Sequence, residues 1–179
     1  MEFEFINTPI PDVIHIKKKF FSDNRGMLVK EYEATPFFKI IRGLFLEEYV
    51  SISKKNVLRG LHLQENPKSQ GKLISVIKGE IFDVAVDMRK RSDHYLKYVS
   101  MNLKAESNES IWIPPGFAHG FLSLTENSII LNRCTNEIDQ SLENGIRWND
   151  PLINIKWPEV DPVLSEKDRN WPLLKSNAV

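Results

Sequence analysis

A single cysteine, Cys134, in 179 residues excludes an internal disulfide framework and fits a reducing compartment. Net charge is missing as well, since 24 basic residues balance 24 acidic ones. No basic stripe stands out, which argues against nucleic acid as a partner. No segment reaches the roughly 20 consecutive apolar residues that a membrane helix needs, so no membrane partner is expected. The start, M-E-F-E-F, carries acids where a secretory signal opens with basic residues, and a cytoplasmic protein is expected. No tyrosine follows Tyr98. Internal repeats, low-complexity tracts and linkers are lacking, so residues 1–179 are read as one domain, long enough to bury a real core.

What the chain has instead is many short β-branched runs punctuated by turns. Leu44–Ser53, Ile74–Lys78, Glu80–Met88, Leu96–Leu103, Ser110–Ile113, Phe117–Leu124 and Ser128–Thr135 all read as strands. F-F-S-D-N-R-G (20–26) reads as a turn, and Asn144-Gly145 as a tight turn. Pro9 and Pro11 suit an edge or exchanged strand in an N-terminal arm over residues 1–19. Helices are expected only over 32–40 and near Ser165–Asp168. The pattern predicts an all-β sandwich or barrel, and the turn P-P-G-F-A-H-G after a strand is compatible with a jelly roll.

The chain from Val57 to Asp87 holds an unusual number of ionisable groups among apolar residues: Arg59, His62, Lys72 and Asp83. Cores accept such groups when they are paired or used. A lone histidine is more often a core or surface residue, but His62 is the group here that can exchange protons near neutral pH. Strand alternation puts Arg59 and His62 on opposite faces, and a bulge at Gly60 would turn both into one cavity. Lys72 is either a solvated strand end or a fixed cation beside developing negative charge. Asp83 opposes the apolar face Phe82-Val84-Val86-Met88, and Lys72 is its expected partner if that other face is a barrel interior. His119, after the rigid Pro114-Pro115-Gly116 turn, is structural or faces the same cavity as His62. Asp168 is either a helix-start acid or an orienter that accepts from His62 Nδ1–H. A cupin-type metal site would want H-x-H with a following carboxylate. Here Gln64 stands at the second histidine position and Lys68 and Ser69 at the acid position, a poor set for a divalent ion.

R-G-L-H-L-Q, Q-G-K-L, G-E-I-F-D-V-A-V-D-M-R, W-I-P-P-G-F-A-H-G-F, G-I-R-W-N-D-P and L-S-E-K-D closely resemble the successive signatures of the dTDP-4-dehydrorhamnose 3,5-epimerase family, over nearly the whole chain. The resemblance implies an all-β, cupin-like jelly-roll barrel with short peripheral helices and a homodimer with exchanged N-terminal arms. It also implies no metal, no organic cofactor and a nucleotide-linked 4-keto-6-deoxy sugar as substrate. By motif, His62 resembles the general base, oriented by Asp168, and Lys72 the group that stabilises the enolate, with Asp83 completing that side. Arg59 and His119 resemble diphosphate and sugar contacts. Arg25, Glu31, Gln64 and Trp148 resemble further parts of the substrate pocket.

Two departures from the family pattern matter. The family places a tyrosine acid where this chain has Asn132, and asparagine cannot donate a proton at a useful pKa. Cys134, on the same strand face, and a water held by Asn132 are the substitutes considered. Inversion at C3 alone is therefore expected. The family's Gln-x-Asn pair is replaced by Glu47 and Tyr49, and a carboxylate suits guanine's N1–H and N2–H₂ better than thymine. A GDP-linked sugar is therefore expected, such as a 4-keto-heptose destined for a bacterial capsule. The alternatives are a dTDP-4-dehydro-6-deoxyglucose 3,5-epimerase, a 3,4-ketoisomerase, or a non-catalytic binding protein for nucleotide sugars.

Overall fold

The β-branched runs pair into two facing sheets in a computed structural model that describes residues 2–175. In chain order the first elements are β1 (Phe3–Asn7), β2 (Ile14–Lys18), β3 (Phe20–Asp23), β4 (Gly26–Val29), α1 (Ala34–Ile41), β5 (Glu47–Ser53) and β6 (Leu58–Gln64). Then come β7 (Lys72–Lys78), β8 (Glu80–Asp87), β9 (Tyr98–Lys104), β10 (Glu109–Ile113), β11 (Phe117–Ser123) and β12 (Ser128–Cys134), followed by β13 (Glu143–Gly145) and α2 (Glu166–Asn170). One sheet has the order β1-β2-β10-β7-β12-β5 and the other β13-β6-β11-β8-β9, while β3 and β4 form a separate hairpin. The expected all-β, cupin-like jelly roll with short peripheral helices is the fold observed.

The core lies between the sheets. Ile74, Val76, Ile111, Ile113 and Ile130 from one wall meet Ile81, Ala85, Val99, Leu103, Phe117 and Phe121 from the other. Strand β8 is buried on both faces. Its outward Val84 and Val86 pack with Leu61, Ala118 and Ile146 under Ile153 and Ile155 of the C-terminal segment. Its inward face carries Ile81, Asp83 and Ala85, so Asp83 points into a barrel interior, where it is 0% exposed. A buried carboxylate at that position must find a hydrogen-bonding partner. Helix α1 is anchored outside the six-stranded sheet by Phe37, whose ring meets Phe3 edge-on at 4.9 Å.

Two local expectations change. Phe20–Asp23 is a strand, with the turn confined to the tip of the β3–β4 hairpin. Asn144-Gly145 is part of β13, paired with β6, and not a turn. Glycine is needed there because a Cβ at Gly145 would lie 2.4 Å from the Trp171 ring, so packing and not backbone curvature selects it. In the N-terminal arm β1 pairs with β2, and β2 with β10.

The bulge at Gly60 is present. The β6–β11 register shifts between His119 and Phe121. Gly60 has φ +117°, and a Cβ there would lie 2.6 Å from both Gly120 Cα and the His119 carbonyl oxygen. Backbone sits against backbone at this crossing, so neither neighbour can yield. Gly60→Ala is expected to cost at least about 2 kcal/mol through positive-φ strain and overpacking, read as a lower urea midpoint. An unchanged midpoint would contradict this.

Candidate active site

The bulge turns two residues of one strand into one hollow. Arg59 and His62, which simple alternation would separate, both line a cavity of about 430 Å³ between the sheets. From the five-stranded wall come Arg59, His62, His119 and Phe121. From the six-stranded wall come Glu47, Tyr49 and Ser51 on β5, Lys72 on β7 and Asn132 on β12. Alternation along β5 explains its set, since residues 47, 49 and 51 share one face. Ile138 and Glu143, with Ser165, Lys167 and Asp168, complete the lining.

His62 Nε2 is hydrogen-bonded to Asp168 Oδ1. The orienter therefore holds Nε2, not the Nδ1 expected from the sequence, and Nδ1 has no hydrogen-bond partner among the described residues. Asp168 is both things the sequence allowed. Its backbone N–H donates to Ser165 Oγ at 3.0 Å, which caps α2, while its carboxylate reaches the histidine. Burial alone would raise the Asp168 carboxyl, but the bonds to His62, Ser165 and the Gly60 backbone outweigh it and hold the carboxyl below its ordinary range. A carboxylate that stays ionised fixes the imidazole's orientation and favours the imidazolium that forms when His62 takes a proton.

Lys72 stands on the opposite wall. Among the described residues it makes no hydrogen bond or ion pair within 4.0 Å. The residue is half-buried by area, yet its ammonium end is desolvated enough to lower its pKa, despite the nearby Cys134, Glu143 and Asp83. A partly desolvated cation with no direct hydrogen-bond partner among the described residues is poised to bind negative charge that appears during a reaction.

Asp83 does not pair with Lys72. Its Oδ2 lies 2.8 Å from His119 Nε2. The reason is topological: β7 and β8 are consecutive in the chain but belong to opposite sheets, whereas β8 and β11 are neighbours. His119 and Asp83 thus form a second His–Asp pair, with His119 5% exposed beside Phe121.

Of the other expected contacts, Arg59 stands at the mouth, donating through Nε to Ser53 Oγ at 3.0 Å and through its second guanidinium nitrogen to the Ile52 carbonyl at 3.3 Å. Glu47 accepts from the Ile138 backbone N–H at 2.9 Å. Asn132 is 3% exposed, and its Nδ2 donates to the Ile130 carbonyl at 3.3 Å. Burial pushes the Cys134 thiol up to about 11, so it stays protonated, and Cys134 is not among the residues lining the cavity.

Four expected contacts lie outside this cavity. Gln64 is a structural tie: its Nε2 donates to the Lys68 and Glu137 carbonyls, and its Oε1 accepts from Asp139 N–H. Glu31 pairs with Lys18 at 2.7 Å. Arg25 forks onto Asp23 in the β3–β4 hairpin. The Trp148 carbonyl accepts from Trp157 Nε1, and the two indoles pack edge-on.

Sequence reasoning missed Ser51, Phe121, Ile138, Glu143, Ser165 and Lys167. Lys167 was within reach, one residue before Asp168 in L-S-E-K-D. It stands exposed at the mouth near Arg59 and pairs with Glu143 at 2.6 Å. Ile138 and Glu143 come from loop and short-strand segments with no pattern that would single them out. Among the described residues, no group of three or more His, Cys, Asp or Glu side chains is arranged to hold a metal ion, and no helix is long and apolar enough to cross a membrane.

A base held by a buried carboxylate, facing a desolvated cation across a jelly-roll cavity, defines an isomerase that works on a carbon acid next to a carbonyl. The model of the family described as dTDP-4-dehydrorhamnose 3,5-epimerase matches residues 7–176, and the chain belongs to that family. It is accordingly an epimerase of nucleotide-linked sugars. It is 44% identical over 181 residues to the dTDP-4-dehydrorhamnose 3,5-epimerase of Methanothermobacter thermautotrophicus, covering 99% of this chain and 98% of that one. A dTDP-6-deoxy-D-glucose-3,5-epimerase from Legionella pneumophila, solved in complex with dTDP-4-keto-L-rhamnose, superposes with TM-score 0.92. The identity is 36%, covering 99% of this chain and 97% of that one. ChmJ, a 3'-monoepimerase from Streptomyces bikiniensis in complex with dTDP-quinovose, superposes with TM-score 0.89. The identity is 26%, covering 93% of this chain and 86% of that one.

Proposed function

We propose that this enzyme inverts C3 and C5 of a dTDP-linked 4-keto-6-deoxyhexose. The observation that carries the reading is the His62–Asp168 pair facing Lys72 across one cavity. With the sugar's C4 carbonyl at Lys72, His62 Nδ1 takes the proton from the adjacent carbon. The C–H electrons move to the C4 oxygen, and the ammonium stabilises the enolate. Returning a proton on the other face completes the inversion. Arg59 and Lys167, the cations at the mouth, suit the diphosphate.

The narrower expectation of a GDP-linked sugar inverted at C3 alone gives way to this reading. Its guanine argument rested on a free Glu47 carboxylate, and Glu47 Oε2 already accepts from Ile138. Relatives that match over almost their whole length are named dTDP enzymes. The C3-only argument rested on the missing tyrosine at 132, but Tyr49 brings a phenol to the same cavity.

The test is incubation in D₂O with dTDP- and GDP-linked 4-keto-6-deoxy sugars, followed by NMR. Deuterium at C3 and C5 of the dTDP substrate, with inversion at both, is expected. Deuterium at C3 alone, or turnover of the GDP sugar only, would defeat the proposal. A carbonyl moved to C3 would reveal a 3,4-ketoisomerase instead, and absence of exchange with every sugar a binding protein.

We also propose that the enzyme works as a homodimer, with the β3–β4 hairpin as the covering element. Phe20, Phe21, Met27 and Leu28 are 53–64% exposed on this hairpin, and the exposed Arg25 at its tip does not line the cavity. Sedimentation is expected to give a dimer, and a monomer with full activity would oppose this.

A further inference from the structure

The reaction needs two proton-transfer groups on opposite faces of the sugar, and only one has been assigned. His62 stands on β6, in the five-stranded wall. A sugar ring lying between the sheets presents its other face to the six-stranded wall, where the cavity is lined by Glu47, Tyr49, Ser51, Lys72 and Asn132. Each can be weighed by its chemistry. Asn132 has no proton to give at neutral pH, and its Nδ2 is engaged by its own strand. Glu47 is tied to the Ile138 backbone. The Ser51 hydroxyl is an aliphatic alcohol, intrinsically a weaker acid than a phenol. Lys72 is occupied with the enolate oxygen.

Tyr49 remains. It is directly opposite Asn132 in the β5–β12 register, so the two side chains are cross-strand neighbours on one face. The residue is 39% exposed overall, with its hydroxyl end near Cys134. Desolvation, with Cys134 and Glu47 nearby, raises its pKa, so the phenol holds its proton at neutral pH, and the α-carbon of an enolate is a still stronger base that can take it.

We propose that Tyr49 is the acid that protonates the enolate carbon on the face opposite His62. In the step, His62 Nδ1 removes the proton from C3 or C5 and the electron pair becomes the enolate. The Tyr49 O–H bond then breaks, and its proton forms the new C–H bond on the other face. The Tyr49 phenolate and the imidazolium of His62 are reset by proton exchange with solvent. Asn132 leaves the space that the phenol fills from the neighbouring strand.

This inference rests on the epimerase reading, and the experiment separates the two. Tyr49→Phe removes one hydroxyl from a partly exposed ring. Wild type and variant are incubated in D₂O with the dTDP-linked 4-keto sugar, and deuterium incorporation and inverted product are followed separately. Inversion is expected to fall by about 10²–10⁴-fold while His62-dependent exchange with retained configuration persists. The double variant Tyr49→Phe, Asn132→Tyr, which returns a phenol from the opposite strand, is expected to recover inversion. Inversion by Tyr49→Phe at close to the wild-type rate overturns the proposal. So does loss of exchange and inversion together, which would make Tyr49 a binding residue. Absence of exchange in wild type itself would instead overturn the epimerase reading.

Discussion

His62→Asn is expected to lower deuterium exchange and inversion at both C3 and C5 by about 10²–10⁴-fold while leaving dTDP affinity nearly unchanged. Asparagine keeps a polar group beside Asp168 but cannot accept a proton. Affinity should survive because the cations at the mouth, Arg59 and Lys167, do not touch His62. A kcat effect without a comparable change in dTDP binding marks a base, whereas parallel losses would mark a binding residue and sink the assignment. The substitution also has a signature in acid. The Asp168 carboxyl is held below its ordinary 3.8 in the folded protein, so it contributes stability that is present above that pH and is lost as pH falls through the folded value. Weakening its partner removes part of that contribution at neutral pH. Wild type should therefore lose stability on acidification faster than His62→Asn, with the two melting curves converging once the pH is below the folded carboxyl's titration. Curves that stay parallel down to acid would show that the His62–Asp168 bond adds nothing to stability.

The residues whose chemistry is intrinsic were legible in the sequence. His62, Lys72, Asp83 and Asp168 stand out because ionisable groups in strand-forming runs need a reason, and the structure places all four in or against one cavity. The strands were legible because alternation is local. Pairing was not. Lys72 and Asp83 are eleven residues apart and look like neighbours, but the chain crosses between sheets at Gly79 and the carboxylate meets His119 instead. The same blindness hid the phenol. No tyrosine follows Tyr98, and Tyr49, legible in the sequence only as part of the pair that replaces Gln-x-Asn, reaches position 132 through the β5–β12 register. Gln64, Glu31 and Trp148 were placed in the pocket by motif likeness alone. Their hydrogen bonds show them holding loops, an N-terminal strand and the C-terminal segment. Gly145 was read as a turn because Asn-Gly is the strongest short-range turn signal, and nothing nearby in sequence announces the Trp171 ring that requires it.

Lys72→Met is expected to lower kcat by about 10²–10³-fold and, at the same time, to make the protein more stable. The first effect follows from the enolate. Its charge develops beside an ammonium that burial has desolvated, where a fixed cation is worth more than in open solvent. The second follows from the ground state. The lysine has no ion-pair partner among the described residues, and desolvation lowers its pKa, so folding pays to bury the charge. Methionine has a similar length and no charge, and removing the cation is expected to add about 1–4 kcal/mol at neutral pH. The pH dependence fixes the cause. A lysine whose folded pKa lies below its ordinary 10.5 makes the wild type gain stability as pH rises from the folded value toward 10.5, because the unfolded chain then binds the extra proton. The advantage of Lys72→Met should therefore be largest at neutral pH and shrink in alkali. Urea midpoints at neutral and alkaline pH measure it. A destabilised Lys72→Met, or an advantage that grows with pH, would mean that Asp83, Glu143 and Cys134 already compensate the charge. The lysine would then be a structural cation and not one held uncompensated for the enolate.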